Sequence, residues 1–204
     1  MQKLDFRKTM KALWQPPAGR FTIVNVPTLR FAMVDGRGDP NVSDEYRAAV
    51  QWLYSVSYAL KFASKRELGR DYTVAPLEGL WWAHDLSDFL RGDKGRWQWT
   101  MMIMQPGWIA RPMFHAAVAR AQEKLGTPPP GLRLEDYDEG LSVQIMHIGP
   151  YSAEGPVLAR LHGEFLPANG LKETGHHHEI YIGDPRRSAP EKLKTVLRQP
   201  VRRL

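Results

Sequence analysis

Residues 31–40, FAMVDGRGDP, are an apolar stretch that runs into a loop of Gly, Asp and Pro, and residues 143–152, VQIMHIGPYS, repeat this order. Each stretch precedes a segment with the composition of a helix. The repeat extends to the stretches that close the two similar portions of the chain: residues 99–106, WTMMIMQP, resemble residues 194–201, KTVLRQPV. Apolar stretches closed by Gly and Pro are typical of strands that end in turns. The sequence therefore predicts a duplicated β-α-β-β unit and an α+β fold.

The repeat sets the expected organisation of a single domain over residues 1–204. We expect a first half at residues 20–106, a helix with a Pro-rich linker at residues 107–131, and a second half at residues 132–201. The two halves are expected to form one mainly antiparallel sheet with its helices on one face. The other face is then free to form a ligand cleft. Residues 85–95 are predicted to form a polar loop.

The first half is predicted to begin with two short strands in residues 21–35, split by Pro27, and the second half with a strand pair in residues 133–147. Ser43 is a predicted N-cap of a helix that continues to Lys65 without Gly or Pro. Aromatic and apolar residues recur at every fourth position of this helix: Tyr46, Val50, Tyr54, Tyr58 and Phe62. This stripe is either the core face of the helix or a set of phenols that line a polar pocket.

The composition is that of a globular protein, with 43% hydrophobic and 25% charged residues in 204. No apolar run is long enough to span a bilayer, and the first residues lack the apolar core of a secretory signal. The chain contains no Cys, which excludes disulfides, thiolate metal sites and a Cys nucleophile. These features predict a cytoplasmic protein.

The formal net charge of +6 raises the question of nucleic-acid binding. The basic residues are spread along the chain and concentrate only near its C-terminus, at Arg186, Arg187, Lys192, Lys194, Arg198, Arg202 and Arg203. No zinc-finger spacing or RNP-type aromatic motif accompanies them, so a solvated basic face is the expected role. The sequence also has no phosphate-binding loop or GxSxG motif, and we predict no cofactor.

Residues 71–82, DYTVAPLEGLWW, combine the carboxylate of Glu78 with the indoles of Trp81 and Trp82. A carboxylate near aromatic faces suits a ligand that is flat and apolar, or cationic. The alternative is that Glu78 is solvated in a turn or bulge at Gly79 and that the indoles are ordinary core residues. Tyr72 and Trp108 are further candidate ligand-binding aromatics.

Residues 176–182, HHHEIYI, place a second carboxylate, Glu179, on a predicted strand. If Ile180 packs under the helices, alternation directs Glu179 and Tyr181 to the open face of the sheet. The alternative is an acid on a solvated sheet face. Among the three His residues only His176 and His178 share a face, and no acid on that face completes a metal site, so we predict no bound metal.

Several long blocks carry a resemblance to a known family, including LYSVSYALKF, YTVAPLEGLWW, WQWTMMIMQP, VQIMHIGPYSAEGP and HHEIYIGDPRR. The chain resembles the stand-alone GyrI-like small-molecule-binding proteins, which are related to the effector-binding domains of multidrug-sensing regulators. The resemblance implies an aromatic cleft with a buried acid near the C-terminal strand. By position, the family's acid is Glu179, its LEGLWW block includes Glu78, Trp81 and Trp82, and its helical tyrosines are Tyr54 and Tyr58.

Some relatives of this type are similar to cyclopropanoid cyclopropyl hydrolases, which open the strained ring of DNA-alkylating natural products by adding water. The corresponding hypothesis is that Tyr54 or Tyr58 hydrogen-bonds the conjugated carbonyl of the substrate while a buried Glu activates water. The resemblance therefore favours an enzyme that detoxifies electrophilic xenobiotics.

The alternative is a non-catalytic sensor or sequestering module, including one that binds gyrase or acts in transcription. Direct nucleic-acid binding would show a steep salt dependence. The expected partner is a small hydrophobic or cationic ligand, and the sequence leaves a monomer and a homodimer open.

Overall fold

The computed structural model describes residues 3–83 and 94–204, so most of the predicted polar loop, residues 85–93, lies outside the described residues. The chain forms two compact units. The first unit contains residues 1–9 and 29–137, and the second contains residues 10–28 and 138–204. Within the described residues, no helix is long and apolar enough to cross a membrane.

Helices and strands follow the predicted order along the chain. The helices are α1 (Phe6–Thr9), α2 (Lys11–Trp14), α3 (Asp44–Glu67), α4 (Arg111–Leu125), α5 (Gly155–Arg160) and α6 (Leu166–Ala168), with a π-helical turn, Leu161–Phe165, between the last two. The strands are β1 (Thr22–Val26), β2 (Leu29–Arg37), β3 (Leu77–Trp82), β4 (Gln98–Gln105), β5 (Arg133–Tyr137), β6 (Gly140–Ile148), β7 (Leu171–Glu173), β8 (His177–Tyr181) and β9 (Lys194–Arg203). The predicted α+β fold is confirmed.

The sheet of the first unit has the strand order β3-β4-β2-β5, with antiparallel pairing throughout. Its central strand, β4, is buried on both faces from Trp99 to Gln105. The sequence of this stretch, WTMMIMQ, is apolar at most positions, which is typical of a strand that is covered on both sides. Helix α3 packs against β2 and β4, and α4 packs against α3. The helix layer therefore covers one face of this sheet.

The sheet of the second unit has the strand order β1-β6-β9-β8, also antiparallel, and β7 pairs with the far end of β9. Its core contains Val143 of β6, Val201 of β9 and helix residues that include Leu161 and Leu166. The helical region from α5 to α6 thus covers the face of the sheet that carries Val143.

The first strand of each predicted half belongs to the unit that is formed mainly by the other half. β1 pairs with β6 of the second unit, and β5 pairs with β2 of the first unit. The strands predicted in residues 21–35 and in residues 133–147 are confirmed. The two strands of the second range, β5 and β6, were expected to form a pair, but β5 pairs with β2 and β6 pairs with β1 and β9, so that expectation is wrong. Apolar periodicity locates strands, whereas the partner of a strand depends on contacts distant in sequence.

Helix α3 begins as predicted, because Ser43 Oγ accepts a hydrogen bond from the Tyr46 backbone N–H at 3.1 Å. The buried face of the helix consists of Ala49, Trp52, Leu53, Val56, Ser57, Leu60 and Ser64. The tyrosine stripe is therefore not the core face: Tyr58 is 48% exposed and Phe62 is 57% exposed. A four-residue spacing advances about 40° beyond one helical turn, so the stripe drifts off the core face.

Gly79 lies in a regular part of β3, paired with Met101 while Glu78 pairs with Met102. The predicted turn or bulge at this position is wrong. The glycine is required for space, because a Cβ at residue 79 would lie 2.7 Å from Trp81 Nε1. The indole of Trp81 consequently lies directly over the backbone of its own strand.

Candidate functional site

The six residues of β3 divide into two faces by alternation. Trp81 lies on the helix side, since its ring is 6.2 Å from the ring of Tyr46 in α3. Glu78 and Trp82 lie on the opposite face, and Glu78 is 2% exposed. The expectation that Glu78 lies beside both indoles is therefore wrong for Trp81, which is on the other face of β3. The alternative of a solvated Glu78 is also wrong, because the side chain is buried.

An aromatic cluster formed by Tyr46, Trp81, Trp97 and Trp99 covers the helix side of the first sheet. The Tyr46 ring meets Trp99 edge-on at 5.4 Å, and the Trp81 ring meets Trp97 at 5.7 Å. Trp99 lies over Gly36, where a Cβ would approach the indole within 2.1 Å. Two glycines thus allow two large rings to lie against the sheet, and both rings are buried there, with Trp81 4% and Trp99 0% exposed.

Tyr54 and Tyr58 lie beside each other on one side of α3, one turn apart. Tyr54 is half-buried and Tyr58 is 48% exposed. The Tyr58 phenol is consequently open to a ligand, whereas a core phenol would not be.

Tyr72 and Trp108 belong to a buried hydrogen-bond network of the first unit. The Tyr72 hydroxyl donates to Gln105 Oε1 at 3.2 Å, and Gln105 Nε2 donates to Ser57 Oγ at 2.8 Å. Trp108 Nε1 donates to Ser64 Oγ at 3.0 Å. Burial, assisted by the neighbouring Asp71, raises the pKa of Tyr72 above its ordinary range. These contacts attach α3 to the sheet.

In the second unit, Glu179 lies between two polar side chains on the same face of β8. The Tyr181 hydroxyl donates to Glu179 Oε2 at 2.8 Å, and His177 Nε2 lies 3.5 Å from Glu179 Oε1. The Tyr181 ring meets Tyr151 edge-on at 5.6 Å. The Glu179 side chain is 14% exposed, so this carboxylate is enclosed without being sealed from solvent.

The face of Glu179 is the helix side of the second sheet. Glu179 is level with Leu197 of β9, and Leu197 is level with Ile145 of β6. The next β6 residue on that face is Val143, which packs against Leu161. The expectation that Ile180 packs under the helices, and Glu179 on the other face, is wrong.

Alternation alone gives two faces without saying which one the helices cover. The face that carries Ile180 also carries Arg198, whose Nη2 donates to Leu13 O at 2.7 Å. The short helix α2 therefore meets this face, whereas the helical region from α5 to α6 covers the face that carries Glu179.

A buried charge network on that second face was not anticipated from the sequence. Glu139 accepts from Arg198 Nη1 at 3.0 Å and lies 2.9 Å from His178 Nδ1. Burial alone would raise the pKa of Glu139, but the charges and hydrogen bonds of His178 and Arg198 outweigh it and lower the pKa to about 2. Arg198 is 3% exposed, so its expected role on a solvated basic face is wrong.

The three consecutive His residues have different environments. Burial lowers the pKa of His176, His177 lies near Glu179, and His178 contacts Glu139. Across residues 3–83 and 94–204, no group of three or more His, Asp or Glu side chains is arranged to hold a metal ion. His178 and Glu139 would have been hard to find, because an ion pair between residues so distant in sequence leaves no local motif.

Comparison with known proteins identifies the family. The description "GyrI-like small molecule binding domain" matches residues 20–202. The crystal structure of an uncharacterized conserved protein from Listeria innocua is 38% identical, with a TM-score of 0.88, over 98% of this chain and 100% of that chain. The crystal structure of a hydrolase from Listeria innocua is 37% identical, with a TM-score of 0.84, over 98% of this chain and 100% of that chain.

A more distant structure shares the fold. The C-terminal domain of EcmrR is 9% identical, with a TM-score of 0.56, over 91% of this chain and 98% of that chain. A comparison with curated protein sequences gave no match. On the match over residues 20–202 and the two Listeria innocua relatives, this chain belongs to the family of GyrI-like small-molecule-binding domains.

Proposed function

We propose that the protein binds flat hydrophobic or cationic small molecules and opens the cyclopropane ring of electrophilic xenobiotics by hydrolysis. Membership of a small-molecule-binding family supports the first part. The likeness to a Listeria innocua hydrolase, at 37% identity over nearly the whole chain, supports the second. The cytoplasm is the proposed location, since reactive compounds that enter the cell would be met there.

The observation that carries the proposal is the Glu179 carboxylate between Tyr181 and His177. The hydrogen bond from Tyr181 at 2.8 Å occupies Oε2 and fixes the carboxylate. The other oxygen, Oε1, lies 3.5 Å from His177 Nε2 and is the atom proposed to take the proton. A general base must be both oriented and within reach of water, and the 14% exposure of Glu179 meets the second condition.

In the proposed reaction Glu179 removes a proton from water as the water oxygen attacks a carbon of the strained ring. A ring C–C bond breaks, and its electron pair moves into the conjugated carbonyl. The resulting oxyanion or carbanion then takes up a proton, so that the product is the substrate plus one water. A hydrogen-bond donor at the carbonyl oxygen would stabilise the charge that develops there.

The first unit contains a second candidate set. Glu78 is a buried acid that shares a face of β3 with the candidate ring of Trp82, whereas the candidate ring of Trp81 lies on the opposite, helix-side face. The phenols of Tyr54 and Tyr58 on α3 are candidate donors. Tyr72 and Trp108 would act only by holding α3 in place, because the Tyr72 hydroxyl donates to Gln105 and Trp108 Nε1 donates to Ser64.

The test is incubation of the purified protein with a spirocyclopropane-containing DNA alkylator, followed by mass spectrometry and tryptophan fluorescence. We expect the compound to gain the mass of one water, and Glu179→Gln to lower the rate by about 100-fold or more. Glu78→Gln is the matched control for loss of a buried carboxylate. A larger loss in Glu78→Gln would assign the base to the first unit.

Two results would contradict the proposal. Fluorescence quenching with the compound recovered intact would indicate a non-catalytic sensor or sequestering module. Conversion that is unchanged in both Glu179→Gln and Glu78→Gln would exclude these carboxylates as the base.

A further inference from the structure

The hydroxyl of Thr195 is an unusual buried group in the second unit. Thr195 is 0% exposed and lies in β9 on the helix side of the sheet, the face that carries Glu179. Among the residues that the structure describes, Thr195 Oγ1 has no hydrogen-bond partner. Because a buried hydroxyl without a partner is destabilising, such a group calls for an explanation.

The two side chains level with Thr195 are polar but make their hydrogen bonds elsewhere. Tyr181 of β8 and His147 of β6 both pair with Thr195 in register. Tyr181 donates to Glu179 at 2.8 Å. His147 Nε2 lies 3.1 Å from Pro150 O and so donates to that carbonyl. Side chains level across antiparallel strands have Cβ atoms about 4.5–5.5 Å apart, so either could have turned to Thr195.

The position of Glu179 narrows the chemistry that Thr195 can recognise. Glu179 lies on the neighbouring strand, β8, and on the same face of the sheet as Thr195. On that face Glu179 is the residue next to Tyr181, the partner of Thr195 in register. An anionic ligand group beside Thr195 would be repelled by this carboxylate, whereas a neutral oxygen would not. Among ligand oxygens, a hydroxyl next to a carboxylate therefore favours the neutral oxygen of a carbonyl or a hydroxyl over an anionic one.

We propose that Thr195 is a ligand-binding residue whose hydroxyl donates to an uncharged carbonyl oxygen of the bound molecule, beside Glu179. The ligand class is then a flat apolar compound that carries a carbonyl, and Thr195 supplies the donor that the proposed ring opening needs. This inference rests on the small-molecule binding in the proposed function and does not require hydrolysis.

The experiment compares Thr195→Val and Thr195→Ser with the wild type. Dissociation constants are measured by stopped-flow tryptophan fluorescence, before conversion, for a spirocyclopropane dienone alkylator and for its analogue without the carbonyl oxygen. We expect Thr195→Val to bind the dienone about tenfold more weakly, Thr195→Ser to bind it as the wild type does, and all three to bind the analogue equally.

Urea unfolding separates ligand binding from a structural role. Because Thr195 Oγ1 makes no hydrogen bond to the described protein, the midpoint of Thr195→Val should not fall. The matched control is Thr100→Val, since the Thr100 hydroxyl donates to Asp35 Oδ1 at 2.7 Å and its loss should lower the midpoint.

Three outcomes would overturn the assignment: equal dienone affinity in Thr195→Val and the wild type, an equal loss of affinity for the analogue, or a lower urea midpoint in Thr195→Val. Lack of dienone binding by the wild type would overturn both this assignment and the proposed ligand class. A dienone that binds through Thr195 but is recovered intact would overturn only the hydrolase.

Discussion

The two units place different chemistry on the helix side of corresponding strands. In the first unit the helix-side positions of β3 are Leu77, Gly79 and Trp81, and in the second unit those of β8 are His177, Glu179 and Tyr181. The first set packs an indole against the sheet, whereas the second surrounds a carboxylate with polar groups. The comparison teaches that strands at corresponding places in the two units can differ, one packing a ring against the sheet and the other enclosing a carboxylate among polar side chains.

The units also differ in the burial of their ion pairs. In the second unit Glu139 and Arg198 are both buried, with side chains 2% and 4% exposed. In the first unit the Arg30–Asp136 pair has side chains 29% and 48% exposed. The same kind of ion pair is thus an internal support in one unit and a surface contact in the other.

The largest expected effect on stability comes from removing the carboxylate of Glu139 in the second unit. Glu139→Gln should destabilise the protein by about 3–5 kcal/mol, because Arg198 and His178 would keep their charge or polarity in the interior without the carboxylate. The measurement is the free energy of unfolding in urea. Asp136→Asn in the first unit is the matched control and should change it little. Equal effects of the two changes would remove the contrast between the units.

Acid should reveal the same contrast without a mutation. The pKa of Glu139 is about 2 in the folded protein, below its ordinary value of 4.5. The stabilisation is therefore complete above about pH 4.5 and is lost as the pH falls toward about 2. We expect a loss on the order of 3 kcal/mol, measured by urea unfolding across this range. A Glu139→Gln variant with the same pH dependence as the wild type would contradict the assignment.

A smaller effect is expected where the first unit packs its indoles. Gly36→Ala should cost about 1–3 kcal/mol, because the added Cβ would overlap the Trp99 ring. Gly163→Ala in the second unit is the control, since a Cβ there has open space around it. Thermal or urea unfolding of both variants provides the measurement. Tolerance of Ala at residue 36 would mean that the ring does not lie over this glycine.

The smallest expected effect concerns the hydrogen-bond network under α3. Tyr72→Phe should lower the free energy of unfolding by about 1 kcal/mol, because Gln105 loses a hydrogen-bond donor at a fully buried position. The ligand affinity should remain unchanged. Weaker ligand binding with unchanged stability would instead make Tyr72 a ligand-binding residue, as its aromatic character first suggested.

The elements could be predicted from local pattern, and their partners could not. Ser43 and the absence of Gly and Pro correctly define the start and extent of α3, and the apolar run of β4 correctly indicates a central strand. The exchange of β1 and β5 between units leaves no local signal, because strand pairing is decided by contacts distant in sequence. The tyrosine stripe misled for a geometric reason, since a four-residue spacing only approximates a helical turn.

For the candidate site, alternation correctly groups Glu179 with Tyr181 on one face of β8. The placement of Glu179 on the open face depends on the condition that Ile180 packs under the helices. Ile180 instead shares its face with Arg198 of the buried ion pair, so its apolar character does not identify the face that the helices from α5 to α6 cover. Arg198 reads as part of a basic C-terminal segment, yet it supports the second sheet from inside. Sequence periodicity reports burial only when the buried side chains are apolar.

The exchanged strands have a consequence for dividing the gene. A cut in the linker at residues 127–131 would leave β5 on the C-terminal fragment and β1 on the N-terminal fragment, although β5 belongs to the sheet of the first unit and β1 to the sheet of the second. Each fragment alone would expose an unpaired strand edge and tend to aggregate. Produced together, the fragments would each supply what the other lacks, so the chain is suited to a split reporter whose reassembly restores the fold.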